Sequence, residues 1–152
     1  MKRKQINNKE VKKIIKTLTE KFKIEGLISK KDRLELVEDY IITCNHKPIF
    51  FYYQEILIPT LKLLIEDNFL PKVVIDMPAV KFIINGADVM RPGIKEMELF
   101  EKNQPIVIID ETHKKPLAIG IPTLSSEDLE KKEKGKLIKN IHHVGDEIWS
   151  FN

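Results

Sequence analysis

Asn85-Gly86-Ala87-Asp88-Val89-Met90-Arg91-Pro92-Gly93-Ile94 is the stretch that decides the fold of this chain of 152 residues. An apolar run leads into it, Gly86 allows the backbone to turn, and Arg91-Pro92-Gly93 forms a second turn. Because glycine has no side chain, the main chain can approach a ligand or another strand closely at both turns. The stretch predicts a sharply bent element that contains a short strand at residues 88–90.

Composition limits the class of protein. Apolar residues make up 42% of the chain and charged residues 32%, which is typical of one ordinary domain or two small ones. No apolar run approaches the ~20 residues of a membrane helix, and the basic N-terminus lacks the apolar core of a secretory signal. The single cysteine, Cys44, cannot form an internal disulfide. We therefore expect a cytoplasmic protein in a reducing compartment, with no membrane partner.

Positive charge is concentrated at the N-terminus, where residues 1–23 contain nine basic and two acidic side chains. Apolar residues at helical spacing predict an amphipathic helix over residues 8–22, with Asn7 as its N-cap and these residues facing the core: Val11, Ile14, Ile15, Leu18 and Phe22. The solvent side then carries Lys9, Lys12, Lys13 and Lys16. These lysines form either a solvated helix face or a face that contacts phosphates.

The rest of the N-terminal half reads as a small antiparallel sheet followed by a second helix. We expect strands at residues 24–28, 34–37, 39–43 and 49–54, with the last two joined in a hairpin. Pro59 suits the first position of the second helix, which would bury Leu61, Leu64 and Ile65 and end near Asn68. These features predict an α+β domain that ends at Pro71.

Beyond Pro71 the pattern changes to short strands separated by turns. We expect strands at residues 73–75, 88–90, 106–109, 117–121, 137–144 and 148–151, and a short helix at 78–84. Residues 125–134 lack an apolar stripe and predict a loop or a short surface helix, and Gly120 marks a bend or a close approach. Short strands at this spacing are typical of a small barrel.

Residues 72–152 resemble a PUA domain, the small barrel found in pseudouridine synthases and archaeosine transglycosylases. The matching features are the strand at 73–76, the helical turn at 79–84, Gly86-Ala87-Asp88-Val89-Met90, the turn at 92–94, the apolar strand at 105–109 and the closing Gly145-Asp146-Glu147-Ile148-Trp149. The resemblance implies an α+β fold in two domains. Residues 1–71 would form a small α/β (pre-PUA) domain, and residues 72–152 a PUA-type β-barrel with a short helix.

The whole chain is similar to the malignant T-cell-amplified sequence family and its archaeal relatives, which combine these two domains. The stretch from Gly86 to Ile94 is close to that family's version, and the short chain indicates an archaeal relative. The resemblance implies an RNA-binding protein associated with translation, acting on tRNA or small-subunit rRNA in initiation, re-initiation or recycling. Its partners would be RNA (tRNA or rRNA) and either the small ribosomal subunit or a translation factor, since eukaryotic members work with a partner chain.

The candidate RNA-binding residues lie in the bent stretch and on the N-terminal helix. Backbone groups at Gly86, Ala87 and Gly93 could reach phosphates or base edges, and Arg91 could make a bidentate contact. Lys81 would lie on the exposed side of the short helix, and the lysines of the first helix would add phosphate contacts: Lys9, Lys12, Lys13 and Lys16. Lys136 and Lys139 are weaker candidates.

Structural interpretations compete with each of these roles. The glycines would also simply allow tight barrel turns, and we expect Val89, Met90 and Ile94 to fill the core. Aromatic side chains at Phe50, Tyr52 and Tyr53 could stack on bases, but core packing is the better explanation for strand residues.

Catalysis has little support in the sequence. Adjacent histidines at 142 and 143 would point to opposite faces of a strand, and the neighbourhood of Cys44 and His46 lacks the other ligands of a zinc site. The sequence contains no phosphate-binding loop and no nucleophile elbow. We therefore predict a protein that is not an enzyme and has no cofactor and no metal. The alternatives are a protein-interaction adaptor and a guide subunit of a pseudouridine- or archaeosine-forming enzyme.

Overall fold

The structure is a computed structural model that describes residues 1–151. Its fold class is the predicted α+β, arranged as two compact units. The first unit contains residues 1–59 with Phe151, and the second contains residues 60–150. The second predicted helix therefore lies in the second unit, ahead of the boundary that composition placed at Pro71. Asn152, part of the predicted second domain, lies outside the described residues.

The first unit is one helix and a five-stranded antiparallel sheet whose strands follow chain order. The helix is α1 (Asn8–Phe22). The strands are β1 (Arg3–Gln5), β2 (Leu34–Val37), β3 (Ile41–Cys44), β4 (Lys47–Tyr53) and β5 (Ile56–Pro59). Two-residue turns join β3 to β4 and β4 to β5, with φ positive at both residues of each turn. This conformation matches the right-handed twist of the strands it connects.

Helix α1 confirms the amphipathic pattern. The Asn7 side chain accepts a hydrogen bond from the Glu10 backbone N–H at 2.9 Å, which caps the helix as predicted. Of the five predicted core residues, Val11, Ile14 and Leu18 are buried, whereas Ile15 and Phe22 are only half-buried at the margins of the stripe. At the end of the helix the Phe22 ring lies 6.4 Å from the Phe50 ring of β4, measured between centroids.

Several predictions for this half are wrong at the level of single elements. Residues 24–28 form no strand: residues 24 and 25 are irregular and 26–28 form bends, and local hydrogen bonds hold the loop that follows, such as the one that Asp32 accepts from the Ser29 N–H at 2.9 Å. The polar strand β1 and the strand β5 were not predicted. Pro59 ends β5, and Thr60 caps the second helix.

The second unit contains three short helices and a six-stranded sheet. The helices are α2 (Leu61–Glu66), α3 (Met77–Ile83) and α4 (Ser126–Glu130). The strands are β6 (Lys72–Ile75), β7 (Val89–Met90), β8 (Ile94–Met97), β9 (Ile106–Asp110), β10 (Pro116–Pro122) and β11 (Lys136–His143). The sheet order is β7-β11-β10-β9-β6-β8, and β6 and β9 pair in parallel. Strands β7 and β8, at the two ends of this order, are joined by a single 3-10 turn, Arg91–Gly93. The sheet must therefore curl round, as the barrel prediction requires.

The core of the second unit lies inside this curled sheet. It is contributed mainly by β6, β9 and β10, and includes Val73, Ile75, Ile106, Ile108 and Ala118. Gly120 confirms the predicted close approach: the register between β10 and β11 shifts there, and a Cβ atom would collide with the Ile138 side chain.

Three side chains of the bent stretch were predicted to fill the core. Val89 and Ile94 do so, with 1% and 7% of their surface exposed. Met90 does not: it is 46% exposed. Neighbouring strand residues point to opposite faces, and Val89 occupies the inward position, so Met90 faces outward.

The ends of other elements also differ from prediction. Residues 147–150 form turns instead of a last strand, because the Asp146 carboxylate accepts the Trp149 N–H at 2.9 Å and the Ser150 N–H bonds back to the Asp146 carbonyl at 3.0 Å. Helix α2 ends at Glu66 and leaves Ile65 52% exposed. Residues 125–134 contain the short surface helix α4, and β8 was not predicted.

Candidate nucleic-acid interface

Helix α3 begins at a well-capped N-terminus. The Asp76 side chain accepts a hydrogen bond from the Ala79 N–H at 3.0 Å, and the Glu111 carboxylate accepts the Met77 N–H at 2.7 Å. Pro78 occupies the first turn, where its missing N–H costs nothing. The two carboxylates, which directly follow β6 and β9, therefore fix the first turn of the short helix.

The helix ends in the backbone bend that the sequence singled out. Gly86 has φ +94°, and its N–H donates to the Ile83 carbonyl at 3.0 Å, while the Ala87 N–H donates to the Phe82 carbonyl at 3.0 Å. These two bonds define a Schellman motif, in which a left-handed glycine closes a helix. We call residues 84–88 the glycine corner. The amides of Gly86 and Ala87 cap the helix, so they are not donors aimed at a ligand.

Two side chains of β11 hold the glycine corner. The Asn140 side-chain amide donates to the Ile83 carbonyl at 2.9 Å and to the Ala87 carbonyl at 3.0 Å, and its backbone N–H donates to Asp88 at 2.9 Å. His143 lies against the corner from the other side: a Cβ atom on Gly86 would lie 3.3 Å from its Nε2 atom. Gly86 is therefore required by its φ angle and by the nearby imidazole.

The second turn is also tied to the protein. The Gly93 carbonyl accepts the Asp76 N–H at 2.9 Å, and a Cβ atom on Gly93 would meet the Ala79 Cβ at 3.4 Å. The Arg91 guanidinium lies 3.5 Å from the carbonyls of Ile94 and Glu130, at the long limit of hydrogen bonding. Its Nε is buried and has no hydrogen-bond partner within residues 1–151. Arg91 is thus folded against the chain in this structure.

A cleft of about 370 Å³ opens beside the glycine corner. Helix α3 contributes Ala79, Phe82 and Ile83, β7 contributes Met90, and β11 contributes Lys136. Phe82 is 57% exposed and Met90 46%. We call this the α3 cleft. An exposed apolar cleft of this kind marks a binding surface more often than an isolated exposed side chain does.

Basic side chains flank the α3 cleft. Lys81 is exposed, as predicted, and its Nζ lies 5.1 Å from the centroid of the Phe82 ring. Lys136 lines the cleft and pairs across the ladder with Met90. The aromatic face and the two ammonium groups together suit a ligand that has flat rings and phosphates.

The lysines of α1 lie in the first unit, on the exposed face opposite the buried stripe: Lys9, Lys12, Lys13 and Lys16. Two of them are partly neutralised. Lys13 lies 3.5 Å from Glu10, and Lys16 lies 4.0 Å from Glu20, in exposed pairs that contribute little stability. The face spans about 10 Å along the helix.

The structure thus groups the nine predicted RNA-binding residues on two surfaces. Five of them lie near the α3 cleft or in the two turns next to it: Lys81, Gly86, Ala87, Arg91 and Gly93. The other four form the lysine face of α1. Sequence reasoning missed Phe82, Met90 and the positioning residue Asn140. One signal was available for Phe82: a short helix with apolar residues on every side cannot bury them all.

The histidines have structural contacts. His142 is 1% exposed, its Nε2 accepts the Leu61 N–H at 3.1 Å, and its Nδ1 lies 2.9 Å from the Asp146 carboxylate. His143 is less buried, so the pair points to opposite faces as predicted. Burial raises the pKa of Asp146, but hydrogen bonds from His142, Trp149 and His143 outweigh it and hold that pKa below its usual value.

Residues 1–151 contain neither a cluster of metal ligands nor a membrane-spanning helix. No group of three or more His, Cys, Asp or Glu side chains in this range could hold a metal ion. Within the same range, no helix combines the length and the apolar character that a membrane crossing demands.

Comparison with known proteins gives a family. The PUA domain family matches residues 71–144. An uncharacterized protein of Methanocaldococcus jannaschii is 43% identical over 96% of this chain and 94% of its own. Translation machinery-associated protein 20 of Saccharomyces cerevisiae is 35% identical over 85% of this chain and 78% of its own. Malignant T-cell-amplified sequence 1 of Rattus norvegicus is 32% identical over 95% of this chain and 88% of its own. The crystal structure of a hypothetical protein of Pyrococcus horikoshii OT3 has a TM-score of 0.82 at 32% identity, covering 97% of this chain and 98% of the other.

The curled sheet, the glycine corner and the family match show that the second unit carries a PUA domain. The chain as a whole belongs to the family of malignant T-cell-amplified sequence 1 and translation machinery-associated protein 20, which also has archaeal relatives. The family predicted from the bent stretch is thereby confirmed.

Proposed function

We propose that this protein binds RNA through the α3 cleft and acts in translation, with tRNA or small-subunit rRNA as its ligand. The α3 cleft is the observation that carries the proposal. Its apolar walls can receive an unpaired base, and Phe82 offers an exposed ring on which a base can stack. Such stacking contributes ~1–3 kcal/mol per base.

The charges around the cleft suit the RNA backbone. Lys136 lines the cleft and Lys81 lies beside the Phe82 ring, where both can neutralise phosphates that flank a bound base. The glycine corner shapes the cleft through its cap, and its Gly86 and Ala87 amides do not bind the RNA. Arg91 supports the neighbouring turn and turns outward only if RNA displaces its long hydrogen bonds.

The step in translation is inferred from relatives. One relative carries the name translation machinery-associated protein 20, which supports a proposed role in the cytoplasm, on the small ribosomal subunit or with a translation factor. We assign residues 1–71 to a pre-PUA domain and residues 72–152 to the RNA-binding domain. The proposed role is binding and not catalysis, in line with the translation-associated relatives.

Direct binding measurements test the proposal. Labelled tRNA and a small-subunit rRNA fragment are titrated with the wild type, Phe82→Ala and Lys136→Ala at several salt concentrations. We expect Phe82→Ala to weaken binding about tenfold at all salt concentrations, because stacking is not electrostatic. Lys136→Ala should lower the slope of log K against log salt by about 0.7 for a single-stranded contact.

Matched controls exist on the same unit. Leu99 is 88% exposed and does not line the cleft, so Leu99→Ala removes apolar surface elsewhere. Lys102→Ala removes an exposed charge away from the cleft. Wild-type protein that binds neither RNA at low salt contradicts the proposal, as does a Leu99→Ala defect as large as that of Phe82→Ala.

A further inference from the structure

A second concave surface lies in the first unit, beside the N-terminal end of α1. Its volume is about 570 Å³, larger than that of the α3 cleft. The floor is apolar and comes from three elements: Ile14 of α1, Leu36 of β2 and Tyr52 of β4. Burial and the nearby Glu10 carboxylate raise the pKa of Tyr52, so its phenol remains neutral at the wall. We call this surface the α1 groove.

The rim of the α1 groove is acidic, although the unit around it is basic. Residues 1–59 carry 13 Lys or Arg and 8 Asp or Glu, whereas the groove is lined by Glu10, Asp39 and Glu55, with Lys4 at the β1 wall. Asp39 lies 3.0 Å from Lys2, and Glu10 lies 3.5 Å from Lys13. Glu55 is exposed and has no ion-pair partner within residues 1–151. The lining thus holds three carboxylates and one ammonium group, and Glu55 is the carboxylate left unpaired, so a basic ligand is favoured over RNA.

The groove adjoins an open sheet edge. Strand β1 is the first strand of the sheet order, and its three residues are exposed. The Ile6 N–H donates to Leu34 at 2.9 Å, and the Glu38 N–H donates to Lys2 at 2.9 Å, so residues 2, 4 and 6 point their backbone groups at β2. The alternation of an antiparallel ladder then directs the N–H and C=O groups of Arg3 and Gln5 away from the sheet.

We propose that the α1 groove and the edge of β1 form a docking site for an extended, basic segment of a partner protein. The segment pairs with Arg3 and Gln5 as an added strand. Its apolar side chains pack on Tyr52 and Leu36, and its Lys or Arg side chains face Glu55 and Asp39. This interface lies on a different unit from the α3 cleft and does not depend on RNA binding.

A peptide titration of the full-length ¹⁵N-labelled protein tests the proposal. The probe is an eight-residue peptide of alternating Val and Lys, and the comparison peptide has Glu in place of Lys. We expect saturable shifts of the backbone amides of Lys4, Gln5 and Tyr52 with the basic peptide, and binding at least tenfold weaker with the acidic one. Glu55→Lys should lower the affinity for the basic peptide at least about fivefold.

Two further variants test the position of the charge and the backbone pairing at β1. Glu25→Lys makes the same charge change on an exposed loop of the same unit and should leave the affinity unchanged. Gln5→Pro removes an outward N–H without removing a bond to β2, so it should abolish peptide binding while the amide spectrum stays folded. The proposal is overturned if the basic peptide shifts none of these amides, if both peptides bind equally, or if RNA shifts them instead.

Discussion

Gly86 shows at the scale of one residue why a glycine that suggests ligand contact can be a structural requirement. Its left-handed backbone closes α3, and its hydrogen atom leaves room for the His143 ring. The need for a turn was predictable from the sequence. The sequence did not show that the Gly86 N–H caps the helix instead of facing a ligand, because the Schellman hydrogen bonds depend on the residue at which the helix ends.

Replacing Gly86 by alanine should destabilise the protein for two reasons. The positive φ costs about 1–2 kcal/mol for any residue with a Cβ atom, and the contact with His143 adds roughly 1 kcal/mol. Gly145→Ala is the matched control, because Gly145 has φ +88° and a Cβ atom there would meet nothing within 4 Å. Urea denaturation compares the two. Equal losses of stability would show that the His143 contact carries no energy.

The pair of the buried His142 and the half-buried Asp146 gives the second prediction at this scale. Because the folded-state pKa of Asp146 is lowered, the pair stabilises the protein above the unfolded carboxyl pKa of about 3.9, and this stabilisation is lost as pH falls through the lower folded value. Asp146→Asn should cost about 1–3 kcal/mol at pH 7.

The check is urea denaturation at pH 7 and near pH 3. The difference in stability between wild type and Asp146→Asn should shrink in acid, because the stabilisation by the carboxylate is progressively lost once pH falls below the unfolded carboxyl pKa. A difference that grows in acid would contradict the lowered pKa.

At the scale of elements, β11 determines the shape of the α3 cleft through Asn140. This role was not predictable, because the Asn140 side chain bonds to Ile83, 57 residues earlier in the chain. Helix α3 and β9 were predictable from apolar runs and turn residues. Strand β1 was not predictable, since Arg3, Lys4 and Gln5 show no apolar alternation. Met90 was wrongly predicted to be buried, because nothing in a two-residue strand indicates which side chain faces the core.

Asn140→Ala should therefore loosen the glycine corner. The Ala87 carbonyl loses its side-chain donor and the Ile83 carbonyl keeps only the Gly86 N–H, which costs about 1–3 kcal/mol, and the Phe82 wall of the cleft becomes mobile. We expect faster hydrogen exchange of the Gly86 and Ala87 amides and weaker RNA binding. Thr123→Val is a useful comparison, because it removes a hydrogen bond to the Leu137 carbonyl farther along β11. Unchanged exchange at the corner in Asn140→Ala would refute the positioning role.

At the scale of the whole molecule, basic surfaces occur on both units, and the lysine face of α1 was predicted from helical spacing alone. If α1 contacts phosphates, Lys12→Gln with Lys16→Gln should lower the salt slope of RNA binding by about 0.7–0.9 per lost contact. Lys30→Gln with Lys31→Gln removes the same charge from an exposed loop of the same unit. An equal change in both double variants would mean that only net charge matters.

The most direct test of the central claim maps where RNA touches the protein. Backbone amide shifts of the ¹⁵N-labelled full-length protein are followed while a short single-stranded RNA is added. We predict saturable shifts that concentrate on residues 79–90 and on Lys136, and that are lost in Phe82→Ala. Shifts confined to other surfaces, with residues 79–90 unchanged at saturation, would contradict the assignment of the α3 cleft as the RNA-binding site.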